Sequence, residues 1–202
     1  VFSLKGMPCA PVYDALFNLF RAPDAYLRNA AVSIFGREGD EAIGFLTSYL
    51  DHTDKEVRKL ILDALFQIGS QEALLAIRAC LHDDAPNVQI TAVEYLGRLE
   101  DKGSLEEMTA LFRNEPEPML RSTILESLCV IGNGGSVHEV LGVLMPGGSY
   151  SEIEPFYLPQ VIALVAKAGE LDDVYGVLDS VQDVPSCADD IMRAISQARC
   201  RF

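Results

Sequence analysis

The fold is decided by residues 54–83, whose sequence is DKEVRKLILDALFQIGSQEALLAIRACLHD. After Asp54, apolar residues recur every three or four positions, a spacing that places them on one face of a helix. Gly69 ends this run, and a second run with the same spacing extends from Leu74 to Leu81. Because glycine tolerates the left-handed conformation in which many helices end, the stretch predicts two amphipathic helices joined by a short turn.

The same pattern recurs before and after this stretch. In three copies an arginine lies four positions after an acid, a large apolar residue follows seven positions later, and a glycine follows eleven positions later. The acids and arginines are Asp24 and Arg28, Asp54 and Arg58, and Glu117 and Arg121, and the glycines are Gly39, Gly69 and Gly132. We expect each acid to lie at the start of its helix, and each arginine to reach both the acid and the neighbouring repeat.

Two further copies are weaker. One has Gln89 in the arginine position and Glu100 in the glycine position, and the other, from Tyr157 to Gly169, has Leu158 in the arginine position. A second amphipathic stretch follows each copy, so each repeat is a pair of helices. A pair leaves apolar surface uncovered at both ends, so neighbouring pairs must stack. The sequence therefore predicts an all-α solenoid.

Two of these stretches resemble a known family. Residues 54–83, and residues 117–144 with the sequence EPMLRSTILESLCVIGNGGSVHEVLGVL, are similar to the short bacterial HEAT-like repeats first associated with phycobilisome lyases. That pattern is an acid, then Val-Arg, a run of Ala and Leu, Leu-x-x-Ile/Leu-Gly, and a second helix ending in Leu-Leu. The resemblance covers about residues 11–182. It implies a right-handed α-α superhelix of the HEAT/armadillo type.

We expect one repeat domain over residues 1–202, with about five helix pairs, a leading half-repeat and a C-terminal capping helix. The expected bounds are 8–22 for the half-repeat, 24–52, 54–83, 86–114, 117–145 and 155–182 for the repeats, and 186–199 for the capping helix. The chain begins at Val1, and its first helix matches the second half of a repeat. We therefore expect it to be a piece of a larger bacterial protein.

The composition narrows the classes of partner. With 30 acidic and 16 basic residues the formal charge is −14, which repels phosphate backbones and anionic membrane surfaces. The five cysteines are odd in number and widely spaced, so they suggest neither a disulfide framework nor a thiolate zinc site. We expect a protein or peptide partner, no nucleic acid or membrane, and a cytoplasmic location.

Three classes of HEAT-like enzyme are the relevant alternatives. Deoxyhypusine hydroxylases bind two irons through several His-Glu pairs, whereas His138-Glu139 is a single pair here. HEAT-like DNA glycosylases have basic, Trp-bearing clefts, whereas this chain is acidic and has no tryptophan. Phycobilin lyases share the repeat, so a tetrapyrrole lyase or chromophore chaperone is the alternative function. No catalytic residue, metal ligand or cofactor is predicted, and Cys80 and Cys129 are expected to be packing residues.

The partner surface is predicted from the second helices, which usually line the concave wall of such solenoids. Equivalent positions form one column of Gly44, Leu75, Glu106, His138 and Tyr175, and another of Phe45, Ala76, Glu107, Glu139 and Gly176. Toward the C-terminal half, with Asp172 and Asp173, this wall becomes an acidic strip that suits a basic or mixed peptide. We expect the binding residues of the strip to be Glu106, Glu107, His138, Glu139 and Tyr175.

An irregular insertion, residues 145–157, lengthens the repeat from about 31 to 37 residues. Loops that interrupt a repeat are often functional. Phe156 and Tyr157 are expected to pack inside the fifth repeat, which leaves Tyr150 as the more exposed aromatic residue and a further candidate for partner binding. The sequence thus predicts a non-catalytic protein-interaction scaffold or regulatory module.

Overall fold

The recurring acids cap helices in the computed structural model, which describes residues 9–115, 117–168, 173, 176 and 177. Asp24, Asp54 and Glu117 each have the extended backbone of an N-cap, and each side chain accepts a hydrogen bond from an N–H of the first turn. The donors are Tyr26 at 2.8 Å, Glu56 at 2.9 Å and Leu120 at 2.6 Å. The expected place of these acids at the helix starts is confirmed.

The described residues form α-helices and short 3-10 helices, without any strand, so the predicted all-α fold is confirmed. The chain divides into two compact units, Val1–Leu99 and Glu100–Phe202. The helices of the first unit are α1 (Cys9–Asn18), α2 (Ala25–Glu38), α3 (Ile43–Thr47), α4 (Lys55–Ile68), α5 (Gln71–Ala79) and α6 (Pro86–Arg98). Those of the second are α7 (Leu105–Asn114), α8 (Pro118–Ile131), α9 (Gly134–Leu144) and α10 (Leu158–Ala168). Within the described ranges, none of these helices has both the length and the apolarity that crossing a membrane requires.

The core of the first unit lies between successive helix pairs. First helices pack side by side, α2 against α4 and α4 against α6, and α5 packs on both α4 and α6. Phe35 and Leu65, which occupy the same register in two repeats, are completely buried. The half-repeat α1 joins this core through Phe17, whose ring stacks on Tyr49 with 4.1 Å between the centroids.

The core of the second unit is built in the same way. Helix α8 packs against α10, and α7 packs against both α8 and α9. Leu128, which matches Phe35 and Leu65 in register, is completely buried, and so is Met108 on α7. The apolar faces that periodicity predicted are therefore the faces that the helices bury.

The recurring arginines share one register but have different partners. The guanidinium of Arg58 donates hydrogen bonds to the carboxylates of Asp83 and Asp84, near the start of the next repeat. Arg28 instead donates to the carbonyl oxygens of Ala22 and Pro23, at 2.6 and 3.0 Å. Arg121 lies over the rings of Phe112 and Tyr157, at 5.0 and 5.6 Å from their centroids. None of the three forms an ion pair with the acid four positions before it, so that part of the prediction is wrong. The repeat places the arginine, whereas neighbouring residues determine what it contacts.

The turns after the first helices confirm one part of the glycine prediction and correct another. Gly69 has the expected left-handed backbone, with φ 64° and ψ 11°. Glu100, which stands in the glycine position of its repeat, also has a positive φ of 55°. Gly132 does not, since its φ is −65°. It is needed for space instead: a Cβ there would lie 2.9 Å from both the Leu164 side chain and Ser136 Oγ and would overlap a backbone oxygen.

Several predicted features lie outside the described residues. They are Gly169, Asp172, Tyr175, most of the second helix of the fifth repeat, and the capping helix at residues 186–199.

Candidate functional site

A groove opens between two neighbouring second helices of the second unit, α7 and α9. Its volume is about 510 Å³. One wall carries Lys102, Glu106 and Arg113, and the other carries Asn133, Ser136 and Glu139. The structure therefore brings together two predicted binding residues, Glu106 and Glu139, on opposite walls of one groove.

Helix α7 presents Glu106 because its other face is anchored in the core. Met108 and Phe112 are buried at 0% and 1% exposure, so the opposite face of the helix, which carries Glu106, points away from the core. Glu106 is exposed and Glu107 is half-buried. Of the two predicted acids on α7, only Glu106 lines the groove.

Helix α9 is fixed at its start by a capping box. Asn133 accepts a hydrogen bond from the N–H of Ser136 at 3.1 Å, and its own N–H donates to Ser136 Oγ at 2.8 Å. Val137 and Val140 are buried, so His138 and Glu139 face solvent. His138, a predicted binding residue, is exposed but does not line the groove.

The groove contains a cation that the column alignment missed. Arg113 forms an ion pair with Glu139, and the two side chains remain 51% and 46% exposed. Lys102 adds a second positive charge to the same wall. Arg113 lies two helical turns after Glu106 and so shares its face, a relationship that the sequence contains but that an alignment of single columns passes over. The groove is therefore mixed in charge rather than uniformly acidic.

The insertion differs from the sequence prediction. Tyr150 is half-buried, its hydroxyl donates to Asp173 Oδ1 at 3.0 Å, and a Cβ at Gly176 would overlap its ring. Phe156, expected inside the repeat, is 52% exposed, whereas Tyr157 is buried at 3% as expected. Phe156 is thus more exposed than Tyr150, the reverse of the prediction. Because Gly176 has no side chain, the Tyr150 ring has room to pack against it.

The thiols of Cys80 and Cys129 are poor nucleophiles. Burial raises the pKa of Cys80 and of Cys129 to about 12, so both are protonated near neutral pH. The Sγ of Cys129 donates to the carbonyl oxygen of Gln160 at 3.1 Å. Both cysteines are packing residues, as predicted. In the part of the chain that the structure describes, no group of three or more His, Cys, Asp or Glu side chains is arranged to hold a metal ion.

The first unit has a groove of its own, between α2 and α4, with a volume of about 600 Å³. Several of its charged side chains already form hydrogen bonds within the unit. Arg21 bonds to His52 Nε2 at 2.6 Å, Arg28 to carbonyl oxygens, and Asp63 accepts from the Tyr95 hydroxyl. On the second-helix face of this unit, Gly44 and Leu75 of one predicted column are exposed, whereas Ala76 of the other column is buried.

Comparison with known proteins identifies the repeat. A family model described as HEAT repeats matches residues 13–84 and 43–129, which together span more than half of the 202 residues. The chain belongs to the HEAT-repeat family. Among solved structures, this HEAT-repeat chain is similar to a crystal structure of an engineered protein, at 16% identity over 94% of this chain and 97% of the other, with a TM-score of 0.49. A second engineered protein matches at 17% identity over 93% and 98% of the two chains, and its TM-score is also 0.49. No curated protein matches the chain.

Proposed function

We propose that this HEAT-repeat chain is a non-catalytic protein-interaction module that holds a basic peptide segment of its partner in the groove between α7 and α9. HEAT repeats generally act as scaffolds for protein–protein interaction, because stacked repeats present extended binding surfaces. The observation that carries the proposal is that Glu106 and Glu139 line opposite walls of one groove. A lysine or arginine lying in the groove would have a carboxylate on either side.

The weak ion pair between Arg113 and Glu139 would allow a basic residue of the peptide to pair with Glu139 instead. Both side chains are about half exposed. A pair in such an environment contributes about 1 kcal/mol or less to stability, because water solvates the separated charges well. An incoming basic residue can therefore take the place of Arg113 beside Glu139 at little cost.

The charge of the whole chain favours the same class of partner. A formal charge of −14 attracts basic segments at long range and repels nucleic acid. We also propose a cytoplasmic location, since Cys80 and Cys129 are free thiols.

The alternative tetrapyrrole function would need a different kind of wall. A bilin cradle needs broad apolar or aromatic surfaces, whereas charged and small polar side chains dominate the lining of the groove. No observation in the described residues favours that alternative.

Selection of short random peptides on the purified chain tests the binding proposal. Selected peptides should be rich in Lys and Arg, and the double variant Glu106→Lys, Glu139→Lys should bind them at least about tenfold more weakly. The control is Glu41→Lys, Glu126→Lys, which makes the same change in net charge at two exposed acids outside the groove. Equal losses in the two variants, or peptides without basic residues, would contradict the proposal.

A separate assay tests the absence of catalysis. The chain is incubated with a bilin and a protein that carries an acceptor cysteine. We expect no covalent transfer of colour above the rate without the chain. Accelerated transfer would overturn the non-catalytic assignment, whatever the peptide experiment shows.

A further inference from the structure

Two exposed apolar residues occupy the same register in the second unit, one in α8 and one in the 3-10 turn, Pro155–Tyr157, that leads into α10. Met119 is 59% exposed and Phe156 is 52% exposed. Each stands two positions after a glutamate that begins its helical segment, Glu117 or Glu154, and each follows a proline. The next residue in each segment, Leu120 or Tyr157, is buried.

Contacts between the two segments place Met119 and Phe156 at one edge. Helix α8 packs against α10. The Arg121 guanidinium lies 5.6 Å from the centroid of the Tyr157 ring, and Gln160 Nε2 donates to Ser122 Oγ at 3.2 Å. The two segments therefore start level with each other. Because both residues come just before these contacts, Met119 and Phe156 lie at the same end of the two segments, and we call them the Met119–Phe156 patch.

This pairing distinguishes the patch from ordinary scattered apolar exposure. Single exposed apolar side chains are common on protein surfaces, whereas neighbouring ones mark interaction sites more often. In the first unit Tyr26 occupies the same register and is 76% exposed, but the equivalent residue of the next repeat is the charged Glu56. Among the described first helices, α8 and the segment that leads into α10 are the neighbours with an apolar residue at both positions.

The rim of the patch is acidic. Glu154 is exposed beside Phe156, and Glu115 and Glu117 lie half-buried in the turn before Met119. Glu115 accepts one hydrogen bond from the Glu117 N–H, and Glu117 accepts one from Leu120, so each carboxylate keeps lone pairs for a further donor. Apolar side chains inside a rim of carboxylates suit a ligand that combines apolar and basic side chains.

We propose that the Met119–Phe156 patch docks a basic amphipathic helix of a partner protein, at a surface separate from the groove. Packed helices lie about 8–10 Å apart, which sets the separation of the two apolar side chains. Residues seven apart on one helix are about 10.5 Å apart along its axis. Two apolar residues at that spacing fit Met119 and Phe156, and lysines beside them fit the acidic rim.

A synthetic peptide tests the proposal on the whole chain. The probe is a fluorescent, alanine-based helix with two leucines seven positions apart and lysines beside them on the same face. It should bind in fluorescence polarisation, and the double variant Met119→Ser, Phe156→Ser should weaken binding at least about tenfold. The matched control, Tyr26→Ser, removes an apolar ring that is 76% exposed at the same register in the first unit and should leave binding unchanged.

Three outcomes would overturn the proposal. The first is equal binding of a probe in which glutamates replace the lysines. The second is unchanged binding by a double variant that keeps its circular dichroism spectrum. The third is loss of binding in Glu106→Lys, Glu139→Lys but not in the patch variant, which would place the peptide in the groove.

Sedimentation distinguishes a second copy of this chain from a separate partner. We expect no concentration-dependent dimer that depends on the patch. A dimer that Met119→Ser, Phe156→Ser abolishes would show that a second copy covers the patch, and it would replace the proposal.

Discussion

Arg58 and Asp83 form a double hydrogen bond between the first helix of one repeat and the turn before α6. The distances are 2.8 Å from Arg58 Nε to Asp83 Oδ2 and 2.7 Å from the second guanidinium nitrogen to Oδ1, and both side chains are 8% exposed. The same guanidinium bonds to Asp84 and to the carbonyl oxygen of His52. One buried cation therefore links three segments of the first unit.

Arg58→Ala should destabilise the chain strongly. Removing one partner of a buried ion pair leaves the other charge without compensation and typically costs about 3–5 kcal/mol. The measurement is the free energy of unfolding from urea denaturation. Arg98→Ala is the control, because its ion pair with Glu94 is 59% and 51% exposed and its loss should cost about 1 kcal/mol or less. Equal costs for the two variants would show that the Arg58 network adds no more than a surface pair.

The same network should make stability depend on acid pH. Burial raises the pKa of Asp83, but hydrogen bonds from Arg58 and the Ala85 N–H outweigh it and hold that pKa below its ordinary value of 3.8. A carboxyl with a lowered pKa stabilises the folded chain above its unfolded pKa, and this stabilisation is lost as the pH falls through the folded pKa. The loss therefore begins near pH 4 and continues below it.

Asp83→Asn is the variant that tests this pH dependence. It should be less stable than the parent chain at pH 7, and the difference should shrink as the pH falls below about 4. Urea denaturation at a series of pH values measures it. A difference that stays constant across the series would mean that Asp83 contributes through its shape and hydrogen bonds and not through its charge.

Glu100→Gly should stabilise the chain. A left-handed backbone costs a residue with a side chain about 1–2 kcal/mol, whereas glycine in place of that residue costs about 0.5–1 kcal/mol in unfolded-state entropy. Because Glu100 has a φ of 55°, its replacement by glycine should raise the free energy of unfolding by up to about 1 kcal/mol. Glu100→Ala removes the same charge without relieving the backbone, so only the glycine variant should raise the midpoint of thermal unfolding.

The fold was predictable because its signals are local and recur with the repeat. Caps such as Asp54, buried positions such as Leu65 and the turn at Gly69 each depend on residues within one helix pair. Contacts between neighbouring repeats cannot be predicted from the sequence of one helix pair. Tyr150 is half-buried because Gly176, in another segment, lacks a side chain. The repeat likewise predicts where Arg121 lies, but its two aromatic contacts depend on which residues the neighbouring helices supply.

The candidate site was only half predictable for a related reason. Aligning equivalent positions found Glu106 and Glu139, because each lies on the outer face of a second helix. It did not find Arg113, since the charge of a groove depends on every side chain that reaches it and not on one column of the alignment. A uniformly acidic strip was thus an incomplete prediction. In the binding mode that we propose, a basic residue of the peptide would replace Arg113 beside Glu139.

Arg113→Ala should therefore strengthen binding of basic peptides in the groove. The variant removes the cation that pairs with Glu139 and leaves that carboxylate exposed. Because exposed pairs contribute about 1 kcal/mol or less, affinity for a lysine-rich peptide should rise by up to about fivefold at low salt and by less at high salt. Calorimetric titration of one selected peptide at two salt concentrations measures the change. Arg37→Ala, which removes an exposed arginine of the first unit, makes the same change in net charge outside the groove and should alter the affinity far less. Weaker binding by Arg113→Ala would show instead that Arg113 itself contacts the peptide, and the groove would then select acidic or polar segments.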